Sequence, residues 1–311
     1  MKALVINEYG PPDVLKLQET ALPMPGNNEV LVRVHAAGIN PVDFKIRSGS
    51  LKWVMKNKFP RVLGMDIAGV VEKAGKKSVY KPGDKVFAML PASGGGYAEF
   101  VTVKEKYLAR IPDEINMKEA AGTPLAALIA LQGLGKGGGI KSGDRVLING
   151  ASGGVGSFAV QIARAMGAEV WAVSSTRNQD FVYSLGADTV IDYTTENFTK
   201  AGTRFAMVFD AVAKSSFGKC RKILDKKGIY VTTIPGPGLM MNAGLNFMRR
   251  KKAAFIMVKP SGDDLEIISD MISRGLIRSY VQQSFLLEEG PEAHRMIETE
   301  RVRGKIVFHL V

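Results

Sequence analysis

Between Val30 and Ala36 the chain alternates. Val30, Val32 and Val34 share one face, and Leu31, Arg33 and His35 share the other. A period of two is the signature of a strand. Residues 1–6 also read as a strand, and short apolar runs follow at Gly69-Val70-Val71 and Lys85-Val86-Phe87-Ala88. Turn signals such as Lys81-Pro82-Gly83-Asp84 and Ser93-Gly94-Gly95-Gly96 separate them. This spacing predicts a small β-rich barrel over residues 1–120.

Near residue 117 the period changes. Residues 117–134 are rich in Ala and Leu and predict a helix interrupted by Gly122 and Pro124. Strands are then predicted at 145–148, 169–173, 189–191, 206–209 and 228–233, with helices at 155–166 and 179–185. That βαβ rhythm implies a parallel, doubly wound sheet. Beyond Pro260 come a helix at 265–274 and short strands ending at 305–308.

The strongest local signal is Asn149-Gly150-Ala151-Ser152-Gly153-Gly154-Val155-Gly156, which leaves a predicted strand and opens a predicted helix. A pyrophosphate needs glycine there, because the backbone must approach it closely. The helix N-terminus then offers free N–H groups and a positive dipole end. Ala151 takes the first position of the G-x-G-x-x-G pattern, and Gly153 and Gly156 take the other two. The residues from Ala151 to Gly156 are therefore candidate cofactor contacts. About 20 residues on, an NAD site carries an acid for the ribose hydroxyls. This chain has Ser174-Ser175-Thr176-Arg177 instead. Hydroxyls and a guanidinium suit a 2′-phosphate, so the expected cofactor is NADPH.

Composition narrows the class. At 311 residues, 46% hydrophobic and 23% charged, the chain is long enough for two domains with real cores. One cysteine, Cys220, excludes a disulfide framework or a multi-cysteine metal site within the chain. The N-terminal residues lack a signal-peptide pattern, and no run approaches the ~20 apolar residues of a membrane span. A cytoplasmic protein is the expectation. The net charge of +12 would draw anions. Most of these cations read as a solvated face. The dense run Arg249-Arg250-Lys251-Lys252 reads as a solvated turn or as a peripheral contact with phosphate or membrane. The aromatic interleaving of a nucleic-acid platform is absent, so no nucleic-acid partner is expected.

These stretches resemble the medium-chain dehydrogenase/reductase superfamily in its zinc-free quinone oxidoreductase branch. The matching pieces are 36–43 (Ala-Ala-Gly-Ile-Asn-Pro-Val-Asp), 64–71 (Gly-Met-Asp-Ile-Ala-Gly-Val-Val), 82–86, 94–99, the glycine turn, Leu185-Gly186-Ala187-Asp188 and Gly304-Lys305-Ile306-Val307. Phe44-Lys45 after Asp43, together with Pro235-Gly236-Pro237-Gly238, looks most like the chloroplast-envelope homologues. The resemblance implies a GroES-like barrel domain from residues 1–120 and 260–311, and a Rossmann-type α/β domain over 121–259. It implies hydride transfer from NADPH to the C=C of enones or to quinones, with a homodimer as the family habit. The rival reading is an NADPH-binding protein with a sensory, structural or RNA-binding role and little turnover.

Zinc-dependent relatives carry Cys where this chain has Asn40, and His-Glu where it has Met65-Asp66. Asn40 reads as a donor to a substrate carbonyl or as a turn residue. Lys45 reads as a cation for a developing enolate or as a solvated lysine; many quinone oxidoreductases have tyrosine there. Tyr193 reads as an adenine contact or a core residue, and Pro235 to Gly238 as a cofactor loop. Asp66 alone cannot hold zinc, which takes about four N, S or O ligands. Elemental analysis of the purified protein is therefore expected to find no stoichiometric zinc, with activity retained in chelator. One tightly bound zinc per chain would contradict this.

Overall fold

Residues 1–53, 58–234 and 251–310 are described by the computed structural model. The chain divides into two units, residues 1–125 with 259–311 and residues 126–258. The first contains β1 (Lys2–Ile6), β2 (Lys16–Glu19), β3 (Glu29–Ile39), β4 (Arg61–Val62), β5 (Asp66–Ala74), β6 (Lys85–Met89), β7 (Phe100–Lys104) and β8 (Leu108–Arg110). The second holds β9 (Arg145–Asn149), β10 (Glu169–Ser174), β11 (Thr189–Asp192), β12 (Phe205–Asp210), β13 (Leu224–Thr232) and β14 (Lys252–Phe255). The chain then returns to the first unit with β15 (Val281–Phe285) and β16 (Lys305–His309).

In the first unit β3 is the hub. It pairs antiparallel with β5, β7 and β16 inside a seven-stranded sheet, while β2, β1 and β4 form a smaller one. Val30, Val32 and Val34 all face the core, beside Ile67, Val86 and Phe308. Burying each such side chain contributes about 1.5–3 kcal/mol, which fixes the register because a one-residue slip would turn the valines outward. The register sets Gly38 opposite Asp66 and Val307. A Cβ on Gly38 would fall 2.4 Å from the carbonyl oxygen of Ala121, so only glycine lets that backbone come so close.

Three helices bear on the site. The first, α1 (Pro41–Arg47), follows β3 directly; the alternation alone did not reveal it. Proline suits a first helical turn, and Asp43 accepts the Asn40 backbone N–H at 2.8 Å. The expected helix at 117–134 is two, α2 (Met117–Ala121) and α3 (Pro124–Leu134), parted where Gly122 and Pro124 predicted a break.

The second unit is a six-stranded parallel sheet in the order β11-β10-β9-β12-β13-β14. The glycine turn leads from β9 into α4 (Gly154–Ala165), and α5 (Gln179–Ser184) lies between β10 and β11. A four-residue helix, α6 (Phe217–Cys220), precedes β13. The strand order reverses at β9, where it meets β10 on one side and β12 on the other. Ligands of doubly wound sheets bind beyond the carboxyl ends at such a switch point. No helix among the described residues is long and apolar enough to cross a membrane.

Candidate functional site

At the end of β9 the backbone turns with Gly150 at φ 81°, and the Gly150 and Ala151 N–H groups both donate to the Val173 carbonyl oxygen, at 3.2 and 3.0 Å. Ala151 is buried, so its methyl serves the turn's packing. Gly156 is required by the fold, since a Cβ there would sit 2.1 Å from Gly150 O. Gly153 is different. Its backbone is extended, and a Cβ would come no closer than 3.6 Å to its nearest neighbour, Gly150 O. The protein has room for a side chain that the sequence withholds. No side chain caps α4, so its first N–H groups lack intrahelical partners. An open glycine over uncapped N–H groups fits a pyrophosphate.

At the end of β10 the expected residues separate. Ser174 is buried, Ser175 is half-buried, and Thr176 and Arg177 are exposed. Arg177 forms no ion pair among the described residues. Asn178 ties the region together, donating to Ser152 Oγ at 3.1 Å and Ser175 Oγ at 3.3 Å. Tyr193 is 60% exposed, which removes the reading of it as a core residue. Pro235, Gly236, Pro237 and Gly238 lie outside the described residues.

Pattern reading missed one acid. The parallel register sets Ser174 opposite Asp192. The Asp192 carboxylate accepts bonds from the Thr176 hydroxyl at 2.5 Å, the Thr194 hydroxyl at 2.7 Å, the Thr194 N–H at 2.9 Å and Gln179 Nε2 at 3.2 Å. These donors, the Thr176 and Thr194 hydroxyls first, hold its pKa below the usual carboxylate range. A negative charge therefore stands beside Thr176 with its lone pairs taken. Only strand pairing brings it there, 16 residues along the chain from Thr176.

The first unit carries a buried polar cluster. Asn40, Asp43, Asp66 and Lys305 are each at most 4% exposed. Asn40 Nδ2 donates to Asp66 Oδ2 at 2.8 Å, and Lys305 Nζ donates to Asn40 Oδ1. Lys305 Nζ also stands 3.8 Å from Asp66, whose other oxygen accepts the Leu125 N–H at 2.8 Å. The carboxamide of Asn40 thus has its acceptor occupied and one N–H committed, leaving the second N–H to donate. Burial raises Asp66 to about 6 against the pull of Lys305, and burial lowers Lys305. Lys305 was legible only as part of a motif. A lysine heading an apolar strand was the signal that it needed a buried partner.

Lys45, on α1, is half-buried, with its ammonium 6.0 Å from the Phe44 ring centroid and no ion pair among the described residues. The other end of α1 is held by the buried Arg47, paired with Glu298. Asp43 Oδ2 accepts from the Tyr97 hydroxyl at 2.9 Å as well as from the Asn40 N–H, while Oδ1 has no partner. Burial lifts Asp43 to about 7. His294 is buried with both nitrogens unpartnered and is held neutral, pushed by burial down to about 3. Cys220 is a packed thiol, raised by burial to about 11. A thiol so protonated is a poor nucleophile. Among the described residues no three His, Cys, Asp or Glu side chains are placed to hold a metal ion.

Against known proteins, residues 26–113 match the alcohol dehydrogenase GroES-like domain, and residues 185–308 match a family described as zinc-binding dehydrogenase. The spinach quinone-oxidoreductase homolog, chloroplastic, is 34% identical over 323 residues, covering 99% of this chain and 98% of its own. The tomato 2-methylene-furan-3-one reductase is 34% identical over 322 residues, covering 99% and 79%. The solved quinone oxidoreductase of Coxiella burnetii is similar with a TM-score of 0.92 and 33% identity, over 100% of this chain and 99% of that one. The Escherichia coli quinone oxidoreductase solved with NADPH gives 0.87 and 26%, over 99% and 100%.

The raised Asp43 has a consequence for stability. Folded, it keeps its proton up to about pH 7, whereas an unfolded aspartate loses it near ~3.9. Between those values the folded state binds more protons, so this group's contribution to stability falls as pH rises. In urea unfolding, the stability of the wild type relative to Asp43→Asn should fall from pH 5 to pH 7, by at most about 1.4 kcal/mol per pH unit. A difference independent of pH would place the titration elsewhere.

Proposed function

This chain belongs to the quinone oxidoreductase branch of the medium-chain dehydrogenase/reductase superfamily and is an oxidoreductase that takes a nicotinamide cofactor, and on that premise we propose that it is a zinc-independent, NADPH-dependent reductase of the C=C bond of α,β-unsaturated carbonyls. The observation that carries the reading is Lys45, a half-buried ammonium without a carboxylate partner among the described residues, on a helix pinned at both ends. The nicotinamide, when bound, supplies the hydride. The chain's own task is to hold that group and to stabilise the oxygen where charge develops.

Residues of the second unit hold the cofactor. The N–H groups opening α4 and the space kept by Gly153 take the pyrophosphate, and Tyr193 offers its exposed ring to the adenine. Arg177, free of any carboxylate partner among the described residues, is the clamp for the 2′-phosphate, with Ser175 and Thr176 beside it. Asp192 sets a limit on this preference, because its charge stands next to Thr176. Its four donors hold that carboxylate in place and stabilise its charge.

Residues of the first unit act on the substrate. A conjugated acceptor spreads incoming charge onto its carbonyl oxygen, so the protein needs only donors for an enolate. Lys45 supplies a charge and Asn40 its remaining amide N–H. A preorganised donor of this kind is worth ~10²-fold or more in turnover. Oxidation of a simple alcohol would demand loss of the hydroxyl proton, which zinc-dependent relatives obtain from the metal's effect on the oxygen. Asn40 and Met65 stand at those ligand positions. The proton that completes enone reduction comes from water, since the buried Asp43 and Asp66 are engaged within the fold.

Two measurements test this. Arg177→Ala should weaken NADPH about ten- to a hundredfold, the equivalent of roughly 1.5–3 kcal/mol for a charge-assisted bond, and leave NADH nearly unchanged. Equal weakening of both would remove Arg177 as the clamp. NADPH consumption should be followed with an enone, its saturated ketone and a quinone, with the products identified. The saturated carbonyl is expected from the enone and no reaction from the ketone. Reduction of the ketone to an alcohol, with the enone's C=C left intact, would sink the reading.

A further inference from the structure

Charge is unevenly divided in this molecule. Residues 126–258 hold 17 Lys and Arg against 8 Asp and Glu, so +9 of the net +12 lies in the second unit. Its sheet sorts these charges further. All six strands run parallel, so their amino ends share one edge and their carboxyl ends the other. The glycine turn, Ser174 and Asp192 lie at the carboxyl edge.

At the amino edge the two halves differ. On the side of β9 to β11 two cations are neutralised: Arg145 pairs with Glu169 at 3.0 Å, and Arg164 with Asp188 at 2.8 Å. On the side of β12 to β14 others are not. Arg204 immediately precedes β12, Lys226 and Lys227 lie in the first half of β13, and Lys252 opens β14. Arg221 and Lys222 lead into β13, and Lys251 Nζ donates to the Arg221 carbonyl oxygen at 2.7 Å. Arg204, Arg221, Lys222, Lys226, Lys227 and Lys252 are exposed, and none forms an ion pair among the described residues. Asp225 is the single acid in these stretches. So many unpaired like charges repel one another, and an external polyanion would relieve that repulsion.

We propose that this edge of β12 to β14 is a docking surface for an anionic phospholipid membrane. Three features select a headgroup layer over other polyanions. A single-stranded nucleic acid wants aromatic faces between the cations, but among the described residues this unit's exposed aromatics, Tyr183 and Tyr193, belong to α5 and to the residue after β11, at the far side of the sheet. Groove readout of a duplex wants a protruding helix or ribbon, and among the described residues the α-helix beside these cations, α6, has four residues. A protein partner wants an apolar or aromatic anchor, and no large exposed apolar side chain is found among residues 199–211, 213–233 and 251–256. A headgroup layer asks only for charge within a Debye length. Docking by this edge leaves the carboxyl edge, with its glycine turn, on the opposite side of the sheet. The surface holds whether or not the enone reading does.

The test is co-sedimentation of the purified full chain with vesicles of phosphatidylcholine, with and without phosphatidylglycerol. Binding is expected only with phosphatidylglycerol, and it should weaken as salt rises. Lys226→Gln/Lys227→Gln and, separately, Arg221→Gln/Lys222→Gln should each weaken it about 25-fold, from about fivefold per cation, the equivalent of about 1 kcal/mol each. Lys76→Gln/Lys77→Gln removes the same charge from exposed positions of the first unit and should leave binding nearly intact. NADPH turnover should be unchanged in all three variants, which also reports that they fold. Equal weakening by the Lys76/Lys77 pair would reduce the effect to net charge and overturn the proposal. So would absence of binding to phosphatidylglycerol vesicles. Capture by an RNA homopolymer in place of vesicles, abolished by the same substitutions, would overturn it in favour of nucleic acid.

Discussion

The polar core of the first unit depends on an ammonium group with nowhere to be solvated. Lys305 is buried at the start of β16, and Asn40 and Asp66 are the groups that make this tolerable. Removing an ion from water costs several kcal/mol even after relaxation, and that cost is recovered only when its partners are well placed. Asp66 is therefore held by three groups from three places: the Asn40 carboxamide, the Leu125 N–H and the ammonium. The cluster joins β3, β5, β16 and the entry to α3. It also locks Asn40, and with it the first turn of α1, the helix that carries Lys45. A charged contact with little value at the surface becomes, when buried, a constraint on where α1 begins.

The second unit solves a different problem with the opposite means. Its site is made by leaving things out. Gly153 keeps empty a volume that a side chain would fill without clash, and α4 starts without a cap. Around them the fold is tight: Gly156 cannot be enlarged, and Ala151 is buried. Rigidity on one side of the turn and open space at Gly153 on the other suit the backbone to a phosphate.

Both edges of the parallel sheet carry charge information. The carboxyl edge gathers hydroxyls, Arg177 and two hydrogen-bonded acids, Asp192 and the buried Asp210. The amino edge on the β12 side gathers unpaired cations. A parallel sheet separates these populations because every strand enters from one edge and leaves by the other.

Much of this was legible in the residue order. Alternation located β3, short apolar runs located β5 and β6, the βαβ rhythm announced the parallel sheet, and the glycine turn was placed between a strand and a helix, where the structure has it. Gly122 and Pro124 broke the helix where the backbone breaks. These features are local, set by spacing, steric freedom and periodicity within a few residues. What the order alone left open is non-local. That Asp192 stands beside Thr176 follows from strand register. That Asn40 is bound at both ends follows from Lys305, which lies 265 residues further along the chain. The short helix α1 shows no long apolar period and was passed over, because its stability comes from capping and from partners at its two ends. Most cations of the second unit read as a solvated face, and Arg249 to Lys252 as a solvated turn or a peripheral contact; the sheet gathers six of them, Arg204, Arg221, Lys222, Lys226, Lys227 and Lys252, on one edge. Pairing distant segments is decided by the burial of whole faces and the satisfaction of buried charges, and neither is a property of any short stretch of sequence.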